Sequence, residues 1–147
     1  MTNWQEAWNT FLQLGIAYLL TAIIGWNRER EEHNAGIRAF PIVGMASCGY
    51  LLILGPHTDA AAQSRVLQGM ITGIGFVGGG AILKDGASIR GIATAASIWN
   101  AGVIGASVAL GRYNVAVILC LLNFLTLRLL YPLKLWLDRA KEERASK

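Results

Sequence analysis

The sequence predicts an all-α fold, a polytopic transmembrane bundle of about five helices with its amino end outside and its carboxyl end in the cytoplasm. Three observations predict it. Hydrophobic residues fill 54% of the 147 positions and charged residues only 15%, against about a quarter charged in an ordinary soluble domain. The apolar residues come in long runs instead of alternating or amphipathic segments. Lys and Arg gather in alternate connections, as they do on the cytoplasmic side of membrane proteins.

A helix rises about 1.5 Å per residue, so crossing a hydrocarbon core of about 30 Å takes roughly 20 mostly apolar residues. Five segments approach that length: Ala7 to Trp26, Ala39 to Gly55, Val66 to Leu83, Gly91 to Leu110 and Tyr113 to Leu133. The stretch from 134 to 147 follows as a basic juxtamembrane tail, read as a polar helix with Trp136 at headgroup level. No Lys or Arg precedes Arg28. Arg28, Arg30 and Arg38 mark the first connection, Lys84 and Arg90 the third, and five basic residues the tail, while the opposite side has only Arg65 and Arg112. That bias sets the orientation. The first run lacks the basic start and small-residue cleavage site of a signal peptide, so it is expected to remain as a helix.

The net charge of +4 sits largely in the tail, which fits topology and lipid headgroups and argues against nucleic acid as a partner. Cys48 and Cys120 lie singly within apolar runs and are expected to act as small hydrophobes. His57 and Asp59, in the second connection, are two weak ligands and read as a solvated turn. No span contains a histidine, and no G-x-S-x-G or metal-ligand spacing occurs. The sequence therefore predicts no catalytic residue, no metal site and no cofactor.

Gly73-Ile74-Gly75-Phe76-Val77-Gly78 has the spacing of a dinucleotide-binding loop, but it lies inside an apolar run without the strand, turn and helix that such a loop requires. Small-xxx-small spacing is the better account, since it lets helix backbones approach closely in lipid. Gly69 with Gly73 and Gly75 with Gly79 fit it on the third helix, and Ala101, Gly105 and Ala109 on the fourth, so these two helices are expected to pack tightly. Gly78, Gly79 and Gly80 leave the end of the third helix pliable. Asn100 and Asn123 fall at similar depth across the tight fourth turn, where a mutual hydrogen bond is expected. Thr72, Thr94, Ser97 and Ser107 are expected to bond back to their own helices. No Asp or Glu lies within a span; Glu29, Glu31, Glu32 and Asp85 sit at the cytoplasmic edge beside Arg28, Arg30, Arg38 and Arg90.

Three blocks at this edge carry a resemblance: Gly25-Trp26-Asn27-Arg28-Glu29-Arg30 leading to Ala35-Gly36-Ile37-Arg38; Gly73 to Ile82; and Arg90-Gly91-Ile92-Ala93-Thr94-Ala95-Ala96-Ser97-Ile98-Trp99. In this order and spacing the chain resembles the MgtC/SapB family of bacterial inner-membrane proteins. Asn27 stands where that family usually has an acid, and Ala39 and Ala93 where it commonly has threonine. The resemblance implies a multi-pass protein of the bacterial cytoplasmic membrane associated with magnesium or general ion homeostasis. Many members add a soluble domain after the membrane part, and a short form without it is expected here. Carried over by position, the residues it marks are Arg28, Glu29, Gly36, Arg38, Gly75, Gly78, Gly80, Arg90, Gly91, Thr94 and Trp99.

The expected site is thus a charged cytoplasmic cluster of Arg28, Glu29, Gly36, Arg38, Asp85 and Arg90, in which Glu29 bridges Arg38 or Arg90 above the glycine-rich end of the third helix. The lack of acids within the spans favours a non-enzymatic protein that binds itself, as a homo-oligomer, or another membrane protein. The alternative is an oligomeric transporter or channel for Mg2+, another cation or a small solute, using the glycine-rich helix, Asn100 and Asn123.

Overall fold

The computed structural model describes residues 4–31, 36–55, 58–86 and 88–145. Five helices account for most of them: α1 (Trp4–Glu31), α2 (Ala39–Leu52), α3 (Ala60–Gly80), α4 (Ile92–Ala109) and α5 (Tyr113–Ala145). By length and composition α1, α4 and α5 can each cross a membrane. Helix α2 has 14 residues, about 21 Å at the helical rise, and falls short of a full hydrocarbon core. Helix α3 is long enough, but its first turns carry Gln63, Ser64, Arg65 and Gln68.

Each boundary has a local cause. Asp59 is the N-cap of α3, its carboxylate accepting from the Ala62 N–H at 2.6 Å, so α3 starts at Ala60, ahead of the Val66 at which the sequence reading begins the third span. Pro41 lies in the first turn of α2, where a missing N–H leaves no intrahelical bond unmade. Helix α4 ends in a Schellman closure: Arg112 N–H donates to the Ser107 carbonyl and Gly111 N–H to that of Val108, with Gly111 at φ +68°. The reversal makes α4 and α5 antiparallel neighbours, as the sequence predicts. Helix α5 continues through Pro132 to Ala145, joining the last apolar span and the basic tail without a break.

Two boundaries differ from the sequence reading. Helix α1 continues past Trp26 to Glu31, so Arg28 and Glu29 are helical residues and not loop residues. The third connection is an antiparallel hairpin, β1 (Leu83–Asp85) with β2 (Ser88–Arg90), in register Leu83 to Arg90. Its two-residue turn begins at Gly86 with φ +59°, the position at which tight hairpins demand glycine.

Helix α4 is central, with α1, α2, α3 and α5 arranged around it. Its buried stripe is Thr94, Ile98, Ala101, Gly105 and Val108, at helical spacing. On α1 the buried residues include Ala17, Thr21, Ile24 and Arg28, of which Thr21 packs on Gly44 of α2 and Arg28 reaches α4. The outer surface is strongly apolar: Phe76 is 85% exposed, and Ile118, Leu121, Leu122, Leu125 and Leu129 form an uncovered face on α5. Water does not support a patch of that extent on a stable monomer, whereas lipid does.

The helix contacts revise the small-residue expectation. A Cβ added at Gly69, Gly73, Gly75, Gly79 or Gly80 would meet nothing within 4 Å. Helices α3 and α4 approach elsewhere, where Gly78 lies 3.1 Å (from an ideal Cβ) from the Ala95 carbonyl oxygen and Gly102 receives the Ile74 side chain. Helix α4 also approaches the backbone of α2 closely, since a Cβ on Gly105 would overlap the Gly44 carbonyl oxygen.

Candidate functional site

The three motif blocks meet where the end of α1, the start of α2, the end of α3 and the start of α4 come together. Arg28 extends the buried stripe of α1 by one turn and is therefore carried inward, 3% exposed. Its Nε and Nη2 donate to the Thr94 hydroxyl at 3.2 and 2.8 Å. Thr94, in the first turn of α4, is 1% exposed. A charged guanidinium in this position requires hydrogen-bonding partners, because desolvating an ion is costly unless its donors are satisfied. Thr94 thus accepts across from α1, while Ser107 and Thr72 bond back along their own helices, at 2.8 and 2.9 Å.

Glu29 points the other way and is exposed. Its Oε2 accepts the Ile37 backbone N–H at 3.1 Å, holding the segment that enters α2. The carboxylate lies directly over Gly36, so that a Cβ there would overlap Oε2. Gly25, one turn before Glu29, leaves room for the Gly36 carbonyl and the Phe40 side chain. The first block is therefore a closed loop clasp. The expected bridges from Glu29 to Arg38 or Arg90 are absent among the described residues; the carboxylate instead accepts the Ile37 backbone N–H, and both arginines are exposed. His57 and the Asp85 side chain lie outside the described residues.

Gly91 joins the second and third blocks. Its φ of +85° makes it the left-handed N-cap of α4, and a Cβ would overlap the Ala81 carbonyl oxygen at the end of α3. Of the residues marked by resemblance, Arg28 and Thr94 meet directly, as do Glu29 and Gly36, while Gly78 and Gly91 meet neighbouring motif residues. A Cβ on Gly75 or Gly80 would meet open space, and Trp99 sits half-exposed on α4.

The sequence reading missed Asn27. It is 4% exposed and its Nδ2 lacks a hydrogen-bond partner in the structure. Its replacement of the usual acid was a visible signal; its burial follows only once α1 is known to run on to Glu31.

A second polar group lies between α4 and α5. Ser97 donates to Asn123 Oδ1 at 3.0 Å, and Asn100 Nδ2 donates to the Leu119 carbonyl at 3.4 Å. The expected bond between Asn100 and Asn123 is replaced by these two, since Ser97 and Leu119 take up their respective polar ends. Asn123 Nδ2 is buried without a partner. Both amides line an open groove of about 340 Å³.

This helical bundle, with its motif blocks locked at one end, is a membrane protein of the MgtC type. The sequence profile of the MgtC family matches residues 14–136, and the chain belongs to that family. It is 34% identical over 129 residues to protein SrpB of Synechococcus elongatus, covering 78% of this chain and 71% of SrpB. It is 33% identical over 114 residues to protein MgtC of Salmonella typhimurium, covering 74% of this chain and 49% of that one. Protein MgtC of Brucella abortus is 28% identical over 130 residues, covering 88% and 55%. The chain thus spans about half the length of the MgtC proteins it matches. No solved structure matches significantly.

Proposed function

We propose that the chain is a non-enzymatic, multi-pass protein of the bacterial cytoplasmic membrane, linked to magnesium or ion homeostasis, that acts through helix contacts with itself or another membrane protein. The observation carrying this reading is the use of the motif residues: Arg28, Thr94, Glu29, Gly36, Gly78 and Gly91 are spent on contacts among the helix ends. Such contacts hold a surface in shape. Family membership supports the association with ion homeostasis, and the charge bias of the connections supports a cytoplasmic tail.

The experiment is reconstitution into sealed vesicles with gradients of Mg2+, other cations, protons and anions. Tight vesicles are the expected result. Selective flux abolished by Glu29→Ala would refute the reading. A second reading, an oligomeric channel or transporter, is favoured by Asn123, whose unpartnered amide lines the α4–α5 groove beside Asn100 and Ser97. In that case a second copy closes the groove into a polar passage, and flux depends on Asn123 more than on Glu29.

A further inference from the structure

Helices α2 and α3 are consecutive and antiparallel, yet they stay apart and leave a groove of about 780 Å³ along their common length. One wall is the α2 stripe from Ala39 to Tyr50, and the other is the α3 stripe from Val66 to Val77. Gly69 and Gly73 deepen the α3 wall, with nothing within 4 Å of a Cβ at either. Apart from Ser47 and the Tyr50 hydroxyl, the lining side chains are apolar. Eleven residue steps on each wall make the groove about 16 Å long, close to half of a hydrocarbon core of about 30 Å. A helix about 10 Å wide over that length would occupy roughly 1,300 Å³, too much to enter whole. The volume instead falls in the range of about 300–1,000 Å³ typical of small-molecule sites.

Charge selects one end. Arg38 immediately precedes Ala39, is exposed, and has no carboxylate partner among the described residues. Exposed Lys84 and Arg90 follow from α3 at the same end, on the hairpin. At the opposite end, among the described residues of the two walls, α3 carries Arg65, one turn and a half from the Asp59 cap. Basic side chains beside a groove between membrane helices suit an anionic headgroup at the cytoplasmic surface.

We propose that this groove holds an acyl chain of an anionic glycerophospholipid from the cytoplasmic leaflet, with the phosphate on Arg38. The leaflet assignment rests on the orientation given under Proposed function; the groove and the Arg38 contact do not. The lipid would fill the gap between α2 and α3 and complete the outer wall of the bundle.

The test is native mass spectrometry of the full chain released from detergent after incubation with phosphatidylglycerol or phosphatidylcholine of matched chains. Wild type is expected to retain phosphatidylglycerol preferentially. Arg38→Gln should lower that retention by about fivefold, to the phosphatidylcholine level, the weight of one basic side chain near a charged surface. Arg65→Gln should leave it unchanged. Gly73→Leu fills the groove and should lower retention of both lipids; Gly69→Leu is the second groove-filling variant should Gly73→Leu lose helicity by circular dichroism. Equal retention of the two lipids, or undiminished retention by a folded groove-filled variant, overturns the proposal. So does efficient disulfide cross-linking between copies through Gly73→Cys in native membranes, which would make a second copy the occupant. A carboxyl-terminal reporter fusion decides orientation separately: an external tail with the same lipid pattern refutes only the leaflet, while a cytoplasmic tail without the pattern refutes only the lipid.

Discussion

Replacing Thr94 with valine keeps the shape of the side chain and removes the hydroxyl on which Arg28 closes. In the structure that oxygen receives two guanidinium N–H groups at 3.2 and 2.8 Å, with both residues essentially shut off from the surroundings. Hydrogen bonds to a charged group contribute about 1.5–3 kcal/mol, and the loss is at the upper end when the charge stays buried and cannot recruit water. Thr94→Val should therefore destabilise the bundle by about 2–3 kcal/mol, and Thr94→Ser, which keeps the oxygen, by about 1 kcal/mol or less. The assay is reversible unfolding in mixed micelles by titration with a denaturing detergent, followed by circular dichroism. In an Arg28→Met background, Thr94→Val should cost less than about 0.5 kcal/mol, because no buried charge is left behind. A Thr94→Val cost that is the same in both backgrounds would refute the reasoning, since Thr94 would then act without Arg28.

Four further outcomes follow from the same structure. Gly36→Ala pushes the Glu29 carboxylate off the Ile37 N–H and should cost about 1–3 kcal/mol, most of it recovered in Glu29→Ala/Gly36→Ala, as measured by the same titration. Gly105→Ala drives a methyl group into the Gly44 backbone and should abolish assembly of α2 on α4, detected as protease sensitivity between them. Gly75→Ala, with open space around it, should instead stabilise α3 by about 1 kcal/mol through helix propensity alone. A double-mutant cycle over Ser97→Ala and Asn123→Leu should give a coupling of about 0.6 kcal/mol and no more than about 1.7, the range of interhelical hydrogen bonds in lipid.

The Gly105 and Gly75 outcomes mark how far the sequence could be read. Small-xxx-small spacing included Gly105, which makes a close helix contact, but with Gly44 of α2 and not with the third helix as expected. It did not say which glycines would be used, since Gly69, Gly73, Gly75 and Gly79 have the same spacing and face open space. Spacing assigns residues to a common helix face; it does not say how far that face is turned towards a neighbour. Asn100 and Asn123 show the same limit. Their shared depth followed from the short turn, but a small rotation about α4 decides whether Asn123 meets Asn100 or Ser97, and the structure chooses Ser97.

Arg28 shows it at the site. Read as the start of a loop, it belonged with the exposed charges. The continuation of α1 to Glu31 places it one turn beyond Ile24 on the buried stripe instead. Helix propensity did not oppose that continuation, because Asn-Arg-Glu-Arg-Glu contains neither glycine nor proline. The hairpin was also legible in part: Asp85-Gly86 is a turn signal, missed because the surrounding segment is short and follows an apolar run.

The residue order of three blocks carried the resemblance to its family, while composition and run length by themselves determined a membrane bundle of about five helices. Composition and run length depend on sums over many residues, and such sums are insensitive to how the helices pack. Tertiary structure alone decided that Arg28 is buried on Thr94, that Glu29 holds a backbone N–H in place of an arginine, and that α2 and α3 part to leave a groove. Those outcomes turn on helix rotation and on separations of an ångström or two, to which local patterns of hydrophobicity and charge are indifferent.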